Sequence, residues 1–329
     1  MAKRRIVIKV GTSTLTAGTD RLDPPRIKDL VRQMAVLMNT GERLVLVSSG
    51  AIAAGRELLG QPDLPAGIPV KQMLAAVGQP NLMNHYESFF GIHRIKVAQI
   101  LLTDEDIRQR RRYLNARNTL ELLLDQAILP IVNENDTVAV DEIRIGDNDN
   151  LSALVANLIE ADLLILLTDQ PGLYTADPRH SMDARLISEI TSAHIPAEVW
   201  QAAGGSANGL GTGGMYTKLQ AAEIARRSGS EVVIASGSEP QVLLRLAAGE
   251  KLGTFITPTA DKLESRKRFL LASVIHSAGI TIDAGALQAL RHGASLLPAG
   301  VRSVQGNFEP GDSVYLLLPD GSRCALGLV

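Results

Sequence analysis

The chain has 329 residues, enough for about two domains, and its hydrophobic share of 45% and mean hydropathy of +0.09 exclude disorder as the main state. A formal charge of -2 leaves no overall electrostatic footprint for nucleic acid, and no uncharged apolar run reaches membrane-spanning length. A single cysteine, Cys324, excludes an intrachain disulfide, and aromatics at 3% leave Ala, Leu, Ile and Val to build the core, as suits helices covering a parallel sheet.

The chain opens on Met1-Ala2-Lys3-Arg4-Arg5, which is basic, but only Ile6-Val7-Ile8 separates it from Lys9, too little for a signal peptide. A soluble, cytoplasmic protein is expected. Ile6 to Val10 reads as a strand ending at Gly11-Thr12-Ser13. Lys9 inside it is either an edge-strand lysine reaching water or a cation set at the carboxyl end of a strand to face a phosphate. Ile27 to Met38 has helical spacing, and Leu44 to Val47 is a second strand running into Ser48-Ser49-Gly50-Ala51. The small residues there let backbone N–H groups approach an anion, or simply let strand and helix pack closely. Pro62 to Pro69 reads as a loop, Gln72 to Phe90 as a long helix and Val97 to Leu102 as a strand. Tyr113 to Asp125 reads as a helix after a solvated Arg110-Arg111-Arg112.

The stretch Ile131 to Asn150 carries most of the chemistry. A strand from Ala127 to Val132 leads into Asn133-Glu134-Asn135-Asp136, an alternating segment follows, and Gly146 turns it into Asp147-Asn148-Asp149-Asn150 before a helix from Leu151. Acids and amides thus cluster where a strand ends and a helix begins, the place where open α/β sheets bind ligands. Turn formation and helix capping would account for one such cluster but less readily for two. A calcium loop is excluded, because Leu151, Ser152 and Leu158 fall where ligands and the turn glycine belong.

Leu163 to Leu167 is a buried strand ending in Thr168-Asp169. Ala203 to Gly214 is the most glycine-dense segment, a candidate lid or hinge, and opens a helix through Lys218 to Arg226. Glu231 to Ala235 is a further strand, and the strand–helix alternation to about Ile256 argues a three-layer α/β/α sandwich around a mainly parallel sheet. Residues 1–257 are expected to form this domain, 258–268 a polar linker, and 269–329 a small, mainly β domain.

No GxxxxGK[ST] loop occurs, the six histidines are scattered, and Gly209, Gly211 and Gly214 satisfy G-x-G-x-x-G without the preceding strand that dinucleotide binding needs. Two lysines remain, Lys9 and Lys218, each beside a glycine-rich loop, with Asp149 at a third strand-to-helix junction. Phosphoryl transfer requires charge compensation and alignment, and two ammonium groups with an intervening carboxylate supply both.

The segments IVIKVGTSTLT, VSSGAIAAGR, LNARNTL, IVNENDTVAVDEIRIGDNDNLSALVA, LLTDQPGLYTADPR and GLGTGGMYTKLQAA, in this order, closely resemble the amino acid kinase family, in particular its members that phosphorylate glutamate. The tail from Ile280 resembles a PUA domain. It ends at Val329, where such domains continue, so that domain is expected to be shortened.

The resemblance implies ATP-dependent, Mg2+-assisted phosphorylation of the γ-carboxylate of L-glutamate, the first step toward proline. It implies that Lys9 and Lys218 contact the transferring phosphate and Asp149 orients them. Gly11 and the backbone of Ser49-Gly50-Ala51 would cradle phosphate and acceptor. Ser49, Asp136 and Asn148 would hold glutamate, with Asn133 and Glu134 close by. Thr168, Asp169 and the run Thr212, Gly213, Gly214, Met215, Tyr216, Thr217 and Lys218 would line ATP, with Tyr216 where relatives often carry Ser. It further implies proline as feedback inhibitor, a homo-dimer or tetramer, and hand-off to glutamate-5-semialdehyde dehydrogenase. Glutamate's γ-carboxylate is already ionised at neutral pH, so no general base is needed, in keeping with the lack of a histidine near any site loop. The rivals are a kinase of the same fold acting on aspartate, acetylglutamate or UMP, and an RNA-binding PUA protein. Residues 258–329 hold seven Lys/Arg against six Asp/Glu, a poor phosphate-binding surface.

Overall fold

The structure, a computed structural model, describes residues 3–65, 67–139, 148–176, 178, 181–204, 214–259, 274–308 and 313–328. The strands of the first sheet are β1 (Arg5–Val10), β2 (Arg43–Ser48), β3 (Val97–Leu102), β4 (Leu129–Glu134), β5 (Leu163–Thr168), β6 (Glu189–Ile190), β7 (Glu231–Ser236) and β8 (Thr254–Ile256). They lie in the order β3-β4-β2-β1-β5-β7-β8-β6. All neighbours are parallel except β7 with β8, which run antiparallel. β1 is therefore a central strand, and Lys9 cannot be an edge lysine.

Strand alternation splits the apolar residues between two faces. Ile6, Ile8, Val10, Leu44, Leu46, Leu163 and Ile165 join one buried cluster; Val7, Val45, Val47, Leu164 and Leu166 join the other. Lys9 shares the parity of Val7 and so faces the second. The helices in chain order are α1 (Thr12–Leu15), α2 (Pro24–Asn39), α3 (Ala51–Leu58), α4 (Ile68–Ile92), α5 (Asp104–Arg108), α6 (Arg110–Asp125), α7 (Asn148–Leu158), α8 (Ala197–Ala202), α9 (Gly214–Arg227) and α10 (Val242–Ala247). Residues of α2, α4 and α10 join the first cluster; those of α6, α7 and α9 join the second. The result is an α/β/α sandwich.

Several boundaries differ from the sequence expectation for identifiable reasons. α4 begins at Ile68 rather than Gln72, because Pro69 sits at the first helical turn, where its missing N–H is harmless. It also runs through Pro80, which has no backbone N–H to give to the helix's hydrogen bonds. α6 begins at Arg110: the Arg110 guanidinium lies 5.6 Å from the Tyr113 ring centre, and Arg112 Nη1 donates to Asp106 Oδ1 at 3.0 Å, so these arginines are partly engaged. α7 begins at Asn148, not Leu151, which puts Asp149 in its first turn. The alternating segment Val140–Asp147 lies outside the described residues, as does the linker apart from 258 and 259.

α3 and α4 pack backbone to backbone. A Cβ on Gly55 would meet Leu74 O at 2.0 Å, and one on Gly78 would meet Ala51 O at 1.9 Å. Neither position admits a side chain without separating the helices. No helix among the described residues is long and apolar enough to cross a membrane.

A second sheet holds β9 (Val274–Ile282), β10 (Val301–Gln305), β11 (Ser313–Leu317) and β12 (Arg323–Leu328), in the order β10-β9-β11-β12, with α11 (Ala284–Arg291) after β9. Its own small core is built on Ile280, Ile282, Val314 and Leu316.

Candidate active site

The carboxyl end of β1 and the starts of α7 and α9 converge on one buried carboxylate. Asp149, in the first turn of α7, is 0% exposed and receives Lys9 Nζ from β1 at 2.5 Å on Oδ1. Lys218 Nζ, from the second turn of α9, donates to Oδ2 at 3.1 Å and to Gly214 O at 3.0 Å. Thr217 Oγ1 also donates to Asp149 Oδ2, at 2.9 Å. Burial alone would push the Asp149 carboxyl up; the charges of Lys9 and Lys218, and the hydrogen bonds they donate, outweigh it and hold it below the usual carboxylate value. The helix start adds a favourable dipole. Two lysines distant in sequence thus meet, as the charge-compensation reading requires.

Two cavities meet at this cluster. One, of about 420 Å³, is walled by Gly11, Thr168, Asp169, Tyr174, Val199, Gly214, Met215 and Lys218 among others. The other, of about 620 Å³, is walled by Lys9, Gly11, Ser49, Gly50, Ala51, Asn133, Glu134, Asp136, Asn148 and Lys218, and also by Thr16, Thr19, Asp20 and Arg56. Gly11, Ser13 and Lys218 belong to both walls. Of the residues expected around a nucleotide, the first cavity takes in Gly11, Thr168, Asp169, Gly214, Met215 and Lys218, whereas Lys9 lines only the second, together with the residues expected around the acceptor. Thr217 turns instead to Asp149, and Tyr216 packs edge-on against Trp200 with ring centres 5.4 Å apart. Thr212 and Gly213 lie outside the described residues.

The second cavity is backed by a run of amides. Asn148 Nδ2 is surrounded by acceptors: Asn133 Oδ1 at 2.8 Å, Ser49 Oγ at 2.9 Å and Ser48 O at 3.2 Å. That surrounding fixes the orientation of the amide. Its Oδ1 is left buried without a donor, a state that costs about 1–3 kcal/mol unless a ligand supplies one. Asn133 Nδ2 in turn donates to Gln79 Oε1 on α4 at 2.8 Å. Gly50 holds φ of +103° at the turn into α3, a conformation that favours glycine, and the helix's first-turn N–H groups, with no side-chain cap, lack helical partners. Asp136 is partly buried, and burial pushes its carboxyl up. A cationic ligand group beside it would relieve that cost.

Sequence reasoning missed Gln79, Asp20 and Arg56. Gln79 sits mid-helix with no motif around it. Arg56 was legible only as part of VSSGAIAAGR, but its spacing from Ile52 and Ala53 puts the three on one helix face.

Fold and site together define a phosphoryl-transferring α/β protein, and comparison with known proteins agrees. Residues 4–236 match the amino acid kinase family, and residues 279–329 match the PUA domain. Solved structures share the fold at 17% identity: a UMP kinase from Bacillus anthracis (TM-score 0.53; 78% of this chain, 97% of that one) and a carbamate kinase from Giardia lamblia bound to AMP-PNP (TM-score 0.55; 78% and 99%). The chain belongs to the amino acid kinase family and, within it, to the glutamate 5-kinases. It is 54% identical to glutamate 5-kinase of Herpetosiphon aurantiacus over 98% of this chain and 87% of that one, and 54% identical to that of Deinococcus radiodurans over 98% and 89%.

Proposed function

We infer that the protein transfers the γ-phosphoryl group of ATP to the γ-carboxylate of L-glutamate, making L-glutamyl 5-phosphate, the first step of proline biosynthesis. The observation that carries this reading is the meeting of two cavities at Lys9, Asp149 and Lys218. ATP occupies the cavity of Thr168, Asp169, Gly214 and Met215, with its phosphates directed at Gly11 and Lys218. Thr212 and Gly213 are proposed to complete that wall. Glutamate occupies the cavity of Ser49, Asn133, Glu134, Asp136 and Asn148. Its ammonium group faces Asp136 and the acceptor Oδ1 of Asn148, and its γ-carboxylate faces the backbone of Ser49-Gly50-Ala51.

The ionised carboxylate attacks without a base. What the protein supplies is alignment and positive charge on the equatorial oxygens of the phosphoryl group in flight. Lys9 and Lys218 are suited to this because Asp149 holds both ammonium groups in place before substrate arrives, so little reorganisation is needed at the moment of transfer. Both oxygens of Asp149 are engaged by lysines, which commits this carboxylate to holding the ammonium groups. Mg2+ would take phosphate oxygens and water, the mode natural to a small cation that dehydrates reluctantly, and would spread charge along the phosphates.

Release of ADP that depends on glutamate, with acyl phosphate trapped as the hydroxamate by hydroxylamine, tests the assignment; ADP release independent of glutamate, or dependent on aspartate, acetylglutamate or UMP, would refute it. The family likeness further supports proline as feedback inhibitor, a dimer or tetramer, hand-off of the labile acyl phosphate to glutamate-5-semialdehyde dehydrogenase, and cytoplasmic location. It also supports a division into a kinase domain (1–257), a linker (258–268) and a PUA-like domain (269–329).

A further inference from the structure

We propose that Arg56 binds the α-carboxylate of the acceptor and thereby selects an amino acid over a simple carboxylic acid. The inference rests on the assignment of the second cavity to glutamate. That substrate carries two carboxylates and one ammonium group, and the cavity wall carries three cations, Lys9, Lys218 and Arg56. Lys9 and Lys218 are committed to Asp149 and to the transferring phosphate. The Arg56 guanidinium makes no hydrogen bond or ion pair with any described residue, while its backbone carbonyl accepts from the Gln61 N–H at 2.8 Å. Its neighbour Glu57 is engaged elsewhere, accepting from the Leu22 backbone N–H at 3.1 Å.

The geometry of α3 places Arg56 at the right end of the cavity. Ala51, in the first turn, lines the wall beside Gly50, where the reacting carboxylate docks. Arg56 lies five residues further on, about 7.5 Å along the helix axis. Side chains lean toward the helix N-terminus, so its long arm reaches back over Ile52 and Ala53, which share its face and line the same wall. An extended glutamate laid along α3, with its γ-carboxylate at the helix start, therefore brings its α-carboxylate to the guanidinium. Asp136, across the cavity on the segment after β4, takes the ammonium group. Each charged group of glutamate then has a partner of opposite sign: carboxylate to helix start and lysines, carboxylate to arginine, ammonium to Asp136, with Glu134 and Asp20 also on the wall. A planar fork of donors also suits a carboxylate better than an ammonium point charge does.

The test measures Arg56→Gln and Arg56→Lys against L-glutamate and against its α-amide, which keeps the γ-carboxylate and the ammonium group. Losing a charge-assisted pair should raise the KM for glutamate on the order of 10- to 100-fold in Arg56→Gln, with kcat and the KM for ATP within about twofold. The preference for glutamate over the amide should fall by the same factor, and Arg56→Lys should recover part of it. Where the amide turns over too slowly, its inhibition constant supplies the comparison. An unchanged KM for glutamate, or an equal loss on both compounds, overturns the proposal. If Asp136→Ala raises the glutamate KM and Arg56→Gln does not, only this inference fails; if neither does, the cavity assignment fails with it.

Discussion

At the scale of single residues, the site is a problem of buried charge. Asp149 has no exposure and the side chains of Lys9 and Lys218 are 4% and 10% exposed, so each relies on the others for its hydration to be replaced. Asp149→Asn keeps the shape and removes the charge, leaving two buried ammonium groups facing one another. It should abolish turnover and destabilise the fold by about 3–5 kcal/mol, read from urea unfolding. Adding Lys9→Met should restore much of the stability and none of the turnover; full stability in the single variant would remove Asp149 from the centre of the cluster. Its carboxyl is held below the unfolded value, so its stabilising effect is present above the unfolded value and fades as pH falls through the lowered one. Asp136 has the opposite sign. Its carboxyl is raised by burial, so ionisation at neutral pH opposes folding, and the KM for glutamate should climb on acidification from a pH above the ordinary aspartate range. Asp136→Asn should raise Tm at neutral pH while raising the glutamate KM at least about tenfold. A lower Tm, or ATP and glutamate affected alike, would count against that role. Lys9, Lys218 and Asp149 were legible from the sequence because each follows or opens a recognisable loop. That Asn148 Nδ2 is held by three acceptors was not, since these are brought together from β2, the β2–α3 turn and β4.

At the scale of elements, the nucleotide cavity is walled by α8, through Val199 and Ala202, and by the first turns of α9, through Gly214, Met215 and Lys218. The join between these two helices is the edge-on contact of Trp200 with Tyr216, at an interplanar angle of 66°. An aromatic pair of this kind is worth about 0.5–1.5 kcal/mol beyond its burial. Tyr216→Ala should therefore raise the KM for ATP about 2- to 10-fold and leave the KM for glutamate unchanged. Trp200 is the single tryptophan of the chain, so its emission reports the contact directly. The emission should shift to the red in the variant, and any response to ATP should shrink. Equal effects on both substrates would mean that the pair supports the fold generally. α8 escaped the sequence reading, as did α1, α5 and α10, because six residues or fewer span too few turns for helical periodicity to emerge. The central strands were legible because β1, β2, β5 and β7 are buried on both faces and so run as apolar stretches, interrupted only by Lys9 in β1. The antiparallel turn of β8 carries no such mark, since strand direction leaves no trace in composition.

At the scale of the whole molecule, the two sheets have separate cores. Among the described residues, the clusters on either face of the first sheet reach no further than Ile256, and the second sheet's core is built from Ile280 onward. The first unit is also closed at its own end: the Thr257 backbone N–H donates to Ile190 O at 3.0 Å, and that of Thr259 donates to Arg226 O at 3.1 Å. Arg226, fully buried at the far end of α9 from Lys218, ties that helix to Ser192 O as well. Every described residue assigned to ATP or glutamate lies within this unit. A chain ending at Thr259 keeps those closing hydrogen bonds and every described residue of both clusters. It should fold cooperatively, and its kcat and both KM values should stay within about twofold of the full chain. Loss of glutamate-dependent hydroxamate formation in a truncated protein that still unfolds cooperatively would show that the second domain contributes directly to the acceptor or nucleotide site, and the two-cavity account would have to be extended to include it.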